Sequence, residues 1–287
     1  MALLLSRRTR RVTVALATVL LFFVLAGVTY QSVSNAIERR RYPHPGKLVD
    51  VGDHQLHLYC LGEGRPIVIL EAPAGGMSMN WAWVQNALTS TTRVCSYDRA
   101  GLGWSEAGDE NYNPARVPDD LHSLLHQAGE RGPYVIAGQE LGAVFAEMFA
   151  ARYPREVVAL VLVDDPAETL VPASSVRMSW TWPWLARIGL LRATRSLSKH
   201  ASGLPGSSSA PAQAFLNRPD HLTRAAKEVA TLGSIASLAT VGRIDEGIAV
   251  TTVKTGQENP PVMLGSSEEA GPVTRALTGV IERARGR

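Results

Sequence analysis

The chain has little that would tie it to a metal, a nucleotide or a nucleic acid. Its two cysteines, Cys60 and Cys95, are too few for a thiolate metal site or a disulfide scaffold in 287 residues. No metal-ligand spacing, phosphate loop or dinucleotide fingerprint occurs, so neither a metal nor a cofactor is expected, and there is no internal repeat. The formal charge is only +3, and much of it comes from Arg7, Arg8, Arg10 and Arg11 with Arg39, Arg40 and Arg41. Those arginines flank an apolar run, which points to a membrane surface and away from nucleic acid. Histidine is scarce towards one end: His44, His54, His57, His122, His126, His200 and His221 are all there are. Everything after residue 221 is without an imidazole base.

The apolar run is Val12–Tyr30, long enough to cross a bilayer as a helix. It exceeds the usual signal-peptide core, which favours an uncleaved anchor, although Val24-x-Ala26 would serve as a cleavage site in a secreted form. Arginines ahead of the run place the N-terminus in the cytoplasm and the remainder outside it, and Arg39–Arg41 weaken that asymmetry. The expected division is an anchor at 1–30, a polar linker at 31–46 and one large domain at 47–287.

Within that domain, short apolar runs alternate with helical patterns. Leu48–Val51 and Gln55–Tyr59 read as a hairpin around Gly52-Asp53, with the second strand running on to Leu61. Ile67–Leu70, Arg93–Tyr97, Tyr134–Ala137 and Ala159–Val163 read as buried parallel strands, and Ala249–Val253 as a last one. Helical spacing covers Trp81–Leu88, Val117–Ala128, Ala143–Tyr153 and Pro272–Arg285. The alternation breaks at about 167–244, which reads as an inserted lid. That stretch holds a basic helix with Trp180, Trp182 and Trp184, a loop at Ser202–Ala214 and a helix at Asp220–Leu232.

The centre of the pattern is Tyr134-Val-Ile-Ala-Gly-Gln-Glu-Leu-Gly142: a strand, a corner with Gly138 and Gly142 on either side of Glu140, then a helix. This is the layout of a nucleophile elbow, in which small residues relieve a strained corner. Together with Ile67-Val-Ile-Leu-Glu71, Trp81-Ala-Trp83, Tyr97-Asp-Arg-Ala-Gly-Leu-Gly-Trp-Ser105 and Leu160-Val-Leu-Val-Asp164, it resembles the α/β-hydrolase fold, in particular single-anchor exported hydrolases of actinobacterial type. The likeness runs from about Leu48 to Asp165. It implies a mostly parallel sheet with helices on both faces, and in its strand order Cys60 and Cys95 are neighbours. A cross-strand disulfide is then plausible, with two buried thiols as the alternative, and export favours the disulfide.

The resemblance implies a nucleophile, a histidine base, an orienting acid and backbone donors for an oxyanion. Glu140 stands where the serine belongs, and Gln139 where a histidine often precedes it. An aspartate serves at this corner in haloalkane dehalogenases and soluble epoxide hydrolases, but those relatives still use a histidine. That histidine belongs between the last strand and the closing helix, where Thr255–Gly271 is short and has none. Asp164 or Glu258 would be the acid, and the oxyanion donors would be the N–H groups of Leu141 and Ala74, the latter after a stiffening Pro73. The Glu140 carboxylate is expected to plug that hole itself.

Asp98 and Arg99 are expected to hold their loop by hydrogen bonds, and Trp81, Trp83 and Trp104 to build core and pocket wall. The Trp180–Trp184 helix fits either a lid or an interfacial helix on the membrane. The reading of the whole is a catalytically degenerate hydrolase homologue that binds a small apolar ligand or a partner at the membrane, with no nucleic acid. The alternative is an active hydrolase of carboxylic-ester or amide bonds, with His200 or His221 swinging in as base. A third reading, a decayed gene, predicts a poorly covered sheet edge.

Overall fold

The computed structural model describes residues 7–109, 112–164, 177–232, 244–255, 264 and 266–286. A helix α1 (Arg7–Arg41) leads into β1 (Lys47–Asp50), β2 (Gln55–Leu61), β3 (Ile67–Glu71), α2 (Ala82–Leu88), β4 (Val94–Tyr97), α3 (Val117–Ala128), β5 (Tyr134–Gln139), α4 (Leu141–Arg152) and β6 (Val157–Val163). Then come α5 (Trp182–Arg187), α6 (Leu190–Thr194), α7 (Gly206–Phe215), α8 (Pro219–Leu232), β7 (Ala249–Val253) and α9 (Ser267–Arg285). The seven strands form one sheet in the order β1-β2-β4-β3-β5-β6-β7. β2 is antiparallel to both neighbours, and every pair from β4 to β7 is parallel.

Strand residues alternate between two cores. Ile67, Ile69, Ile136, Leu160 and Leu162 point to the side covered by α3 and α4, where Leu121, Leu125, Ala146 and Phe149 meet them. Val68, Leu70, Val135, Val161 and Val163 point to the other, against Trp81, Val84 and Leu88 near α2 and Val273, Leu277 and Ile281 of α9. Both faces are therefore covered, which is why β3 and β5 are apolar throughout their central positions and wholly buried. Helix α9 is set by a capping box: the Glu269 N–H donates to Ser266 Oγ, and the Ser266 N–H to Glu269 Oε2, each at 3.2 Å. It covers the β5 and β6 side of the sheet, while edge strand β7 has no fully buried residue and leaves Val250 49% exposed.

Most boundaries fall within two residues of the sequence reading, and larger differences occur at α1, α7 and α9. Helix α1 does not stop at Tyr30 but runs to Arg41, ending just before Pro43, so most of the expected linker is helical. The last turns are held by contacts to the inserted helices: Gln31 Nε2 donates to the Asn217 carbonyl at 2.7 Å, and Arg192 donates to Glu38. The supposed loop Ser202–Ala214 contains α7. Its glycine and serines are poor helix formers, but Ala212 and Phe215 pack into a cluster with Met77 and Met79, and that burial overrides propensity. Helix α9 begins at Ser267, ahead of Pro272. The ends of the expected lid and Glu258 lie outside the described residues.

Cys60 and Cys95 face each other in the β2–β4 register and are joined by a disulfide. Glu130 lies near both sulfur atoms, but the sulfurs are consumed in the bridge and Glu130 accepts two hydrogen bonds from Arg93, at 2.6 and 2.7 Å, so no donor set is left there for a metal.

Candidate functional site

Between β5 and α4 the chain turns at Glu140 with φ 48° and ψ −117°, a left-handed conformation rare for a residue with a side chain. The corner is held from both sides: the Glu140 N–H donates to the Val163 carbonyl at 2.9 Å, and its carbonyl accepts from the Ala143 N–H at 2.8 Å. A Cβ on Gly138 would overlap the Gly142 backbone, and one on Gly142 would run into the carbonyls of Glu71 and Ala72. The two glycines thus let strand, helix and the β3 loop meet at one point. The turn is an elbow in geometry as well as in sequence.

What it presents is a carboxyl group. Glu140 is half-buried, and its side chain makes no hydrogen bond to the start of α4. The expected plug is therefore not formed: no bond reaches the N–H of Leu141 or of Ala74 from Glu140. At the corner the carboxyl group is instead close enough to Asp164 to feel its charge. Burial, followed by the nearby negative charge of Asp164, pushes the Glu140 pKa up to about 7. Near neutral pH the group is therefore divided between acid and carboxylate.

Asp164 is already engaged. Also at positive φ (48°), it accepts hydrogen bonds from the Thr255 N–H at 2.8 Å and the Thr255 hydroxyl at 2.6 Å, and its own N–H donates to Val253 at 2.9 Å. It ties the end of β6 to the end of β7. It has no histidine to orient. All seven histidines are described, and none is bonded to Glu140. His200 is exposed, with Nδ1 3.1 Å from the Leu197 carbonyl. His221 is buried under α7, and its Nδ1 accepts the Gly103 N–H at 3.1 Å; burial pushes its pKa down to about 4, so it is neutral. Neither supplies the base that an active serine-type site needs.

Ala74 and Leu141 do come together, in one cluster with Val144, Phe145 and Met148. The loop that carries Ala74 is fixed from outside by Arg99, whose five N–H groups are all used. Nη1 donates to Glu71 at 2.5 Å and to the Ala72 carbonyl at 2.7 Å. Nη2 donates to the Pro73 carbonyl and to Glu228, both at 2.7 Å, and Nε to Glu228 at 2.8 Å. Glu228 also accepts the Gly75 N–H at 2.8 Å. Burial raises the Glu71 pKa, opposed by Arg99 and by the Tyr97 hydroxyl that donates to it. Arg99 thus binds the β3 loop and α8 as well as its own loop.

Beside it, Asp98 accepts hydrogen bonds from the N–H groups of Ser78 (2.6 Å) and Trp104 (2.9 Å) and pairs with His57 at 2.9 Å. Burial disfavours the His57 imidazolium, but Asp98 and the Pro45 carbonyl outweigh it and its pKa is raised. Of the tryptophans, Trp81 is core and Trp83 donates to the Gly203 carbonyl at 3.0 Å. Trp104 packs on Phe215 with ring centres 5.0 Å apart.

Sequence reasoning missed Glu228. The available signal was a polar stripe at helical spacing, His221, Arg224, Glu228 and Thr231, which is the buried face of α8. A cavity of about 960 Å³ lies between the end of α1, the 101–109 loop and α7–α8, with Tyr42, Trp104 and Phe215 among its walls and Arg39, Arg218 and Lys227 among its charged groups. It does not include Glu140.

Residues 67–281 match the model of the "Alpha/beta hydrolase family". Among curated proteins, the chain is 31% identical over 144 residues to "Probable transporter efuK" of Hormonema carpetanum, covering 47% of this chain and 20% of that one. It is 28% identical over 136 residues to an "Uncharacterized vacuolar membrane protein" of Saccharomyces cerevisiae, covering 41% and 21%. The chain thus spans about a fifth of the length of these relatives. Among solved structures, the Cif epoxide hydrolase from Acinetobacter nosocomialis superposes with a TM-score of 0.64 at 12% identity, over 88% of this chain and 96% of that one. The enol-lactonase from Burkholderia xenovorans superposes at 0.60 and 17% identity, over 82% and 100%. These structural likenesses speak to fold, and the family match spans most of the chain. With its mostly parallel sheet, its elbow and its long apolar N-terminal helix, the chain belongs to the alpha/beta hydrolase family.

Proposed function

We propose that this protein is a pseudoenzyme of its family: a membrane-anchored binding protein in which serine-type hydrolysis has been lost. The observation that carries the proposal is the elbow, where the backbone geometry is kept while the side chain is Glu140, and none of the seven histidines bonds to it. A carboxyl group cannot form the acyl-enzyme of a serine hydroxyl, and without a base an ester intermediate on it would not be hydrolysed. The ligand in this reading is a small apolar molecule or a partner met at the membrane. The aromatic walls of the cavity beside α1 support it. The inserted helices act as a lid, and the domain faces away from the cytoplasm, a direction supported by the arginines ahead of the apolar run.

Hydrolysis of a short-chain chromogenic ester by the full-length protein in detergent, beside Glu140→Ala, tests this. No turnover from a well-folded sample is expected. Turnover that vanishes in Glu140→Ala would overturn the proposal.

A second reading is favoured by one specific observation. Glu140 has its pKa at about 7 beside Asp164, and the N–H groups of Leu141 and Ala74 carry no bond from the described residues. A carboxyl group so poised would serve as a general acid or base for an ester or amide substrate. The same assay separates the two readings.

A further inference from the structure

Outside α1, six large apolar side chains are exposed among the described residues, and five of them lie between 178 and 190. They are Met178 (57% exposed), Trp180 (45%), Trp184 (69%), Ile188 (37%) and Leu190 (44%). Exposed apolar side chains in such number, two of them tryptophans, confined to one short stretch, mark a surface that meets something other than water.

The fold sets where that surface lies. Helix α1 touches the α5–α6 turn at Gly27, where a Cβ would overlap the Ile188 carbonyl, while Gly189 (φ 72°) packs against the Gly27 carbonyl and the Tyr30 ring. The contact is locked one to three turns further on. Arg192 donates to Gln31 Oε1 and to Asn35 Oδ1, both at 3.1 Å, and holds the Glu38 carboxylate, while Arg39 pairs with Asp220 at 3.0 Å. The Arg192 and Glu38 side chains are only 10% and 20% exposed, so this is a fitted joint. An apolar helix such as Val12–Tyr30 is about 28 Å long at 1.5 Å per residue, close to the thickness of the hydrocarbon layer. Gly27 and Tyr30 then sit at its outer boundary, and the joint holds Ile188 and Gly189 at the same depth.

The chemistry of the stretch suits that depth. From Arg177 to His200 there are four arginines and one lysine and no acidic residue. Arg187 lies over the Trp184 ring, its Cζ 4.9 Å from the centroid. Indole rings with arginines beside them are the usual residents of the headgroup boundary, and the positive charge attracts anionic lipid.

We propose that residues 178–190 form a second membrane contact, seated in the headgroup–acyl boundary of the bilayer that α1 crosses. The inserted helices would then lie on the membrane, with the cavity between them and the end of α1 opening near its surface. This inference rests on the membrane-anchor part of the function proposed above, and not on the fate of catalysis. Lipid is preferred to a protein partner because the exposed apolar surface is continuous with that of α1.

Tryptophan quenching tests it, since α1 contains no tryptophan and the six in the chain are Trp81, Trp83, Trp104, Trp180, Trp182 and Trp184. The full-length protein is placed in nanodiscs of phosphatidylcholine and phosphatidylglycerol, with or without bromine atoms high on the acyl chains. Bromolipid is expected to quench the wild-type emission, and the quenched fraction is expected to fall by at least half in the W180F/W184F variant, whose circular dichroism is unchanged. Insertion without quenching, or quenching that W180F/W184F leaves intact, would overturn the inference alone. Quenching absent because the protein pairs, seen as two copies per disc, would assign the surface to a second copy and overturn it too. A chain that floats free of lipid would overturn the anchor together with this inference, whatever the ester assay reads.

Discussion

Arg99 and Glu228 meet as a bidentate pair, Nε to Oε1 at 2.8 Å and Nη2 to Oε2 at 2.7 Å, with both side chains at most 3% exposed. The pair joins the loop after β4 to the inserted helix α8. Through the other donors of Arg99 it also fixes the loop on which Ala74 lies. One guanidinium thus determines both how the insertion sits and how one wall of the elbow is held.

Removing the guanidinium leaves two buried carboxyl groups, Glu71 and Glu228, facing each other without their cation. Arg99→Met is expected to lower stability by about 3–5 kcal/mol, the cost of breaking a buried ion pair from one side. Glu228→Gln keeps the shape and should cost less, on the order of 1–3 kcal/mol. Urea denaturation in detergent checks the ranking, and no loss in Glu228→Gln would mean that Glu228 does not act as the shared acceptor.

Glu140 makes stability depend on pH. Its folded pKa, about 7, lies above the ordinary 4.5. Between those values the folded chain keeps a proton that the unfolded chain has released. Stability is therefore highest below pH 4.5 as far as this group is concerned, falls as pH rises to 7, and levels off above. Glu140→Gln, which cannot ionise, should match the wild type near pH 4.5 and exceed it at pH 8 by on the order of 1–3 kcal/mol. Denaturation midpoints at the two pH values decide this, and a gain at pH 8 no larger than that at pH 4.5 would contradict the raised pKa.

The disulfide closes a loop of 35 residues between an antiparallel edge pair and the parallel sheet. By the chain-entropy account its removal should cost about 3–4 kcal/mol. A Cys60→Ala, Cys95→Ala double variant is expected to show that loss in urea. Recovery of full stability would mean that the bridge restrains nothing in the unfolded chain.

The elbow is legible in sequence because its requirements are local: a buried strand, two glycines that the backbone approaches closely, and a helix. The sheet is legible for the same reason, since β3, β5 and β6 are continuous apolar runs that only a doubly covered position explains. What escaped depends on residues far apart in the chain. The last turns of α1 are polar and look like a linker until Arg192 and Asn217, some 160 to 190 residues away, are seen to hold them. Helix α7 escaped because Gly206 and its serines argue for a loop, and only Met77 and Met79 beneath it argue otherwise. The plug expected of Glu140 failed on direction: the spacing of a corner residue says which backbone donors are near and not which way its side chain leaves.

Placing a serine at the corner provides the sharpest check on the site. Glu140→Ser would create the Gly-x-Ser-x-Gly corner between Gly138 and Gly142, with the N–H groups of Leu141 and Ala74 still in place. A serine hydroxyl is a weak nucleophile unless a base takes its proton, and a base contributes on the order of 10²–10⁴-fold. His200 is exposed in the turn between α6 and α7, its Nδ1 beside the Leu197 carbonyl, and His221 is neutral with its Nδ1 committed to Gly103. Asp164, one of the two carboxylates expected at the acid position, spends its carboxylate on Thr255. Glu140→Ser is therefore expected to fold and to hydrolyse a chromogenic ester no faster than Glu140→Ala. The Ser variant should also show no labelling by an organophosphate that reacts with activated serines. Covalent labelling of residue 140 would show that a base reaches the corner after all, and would overturn the proposal that the site lacks one.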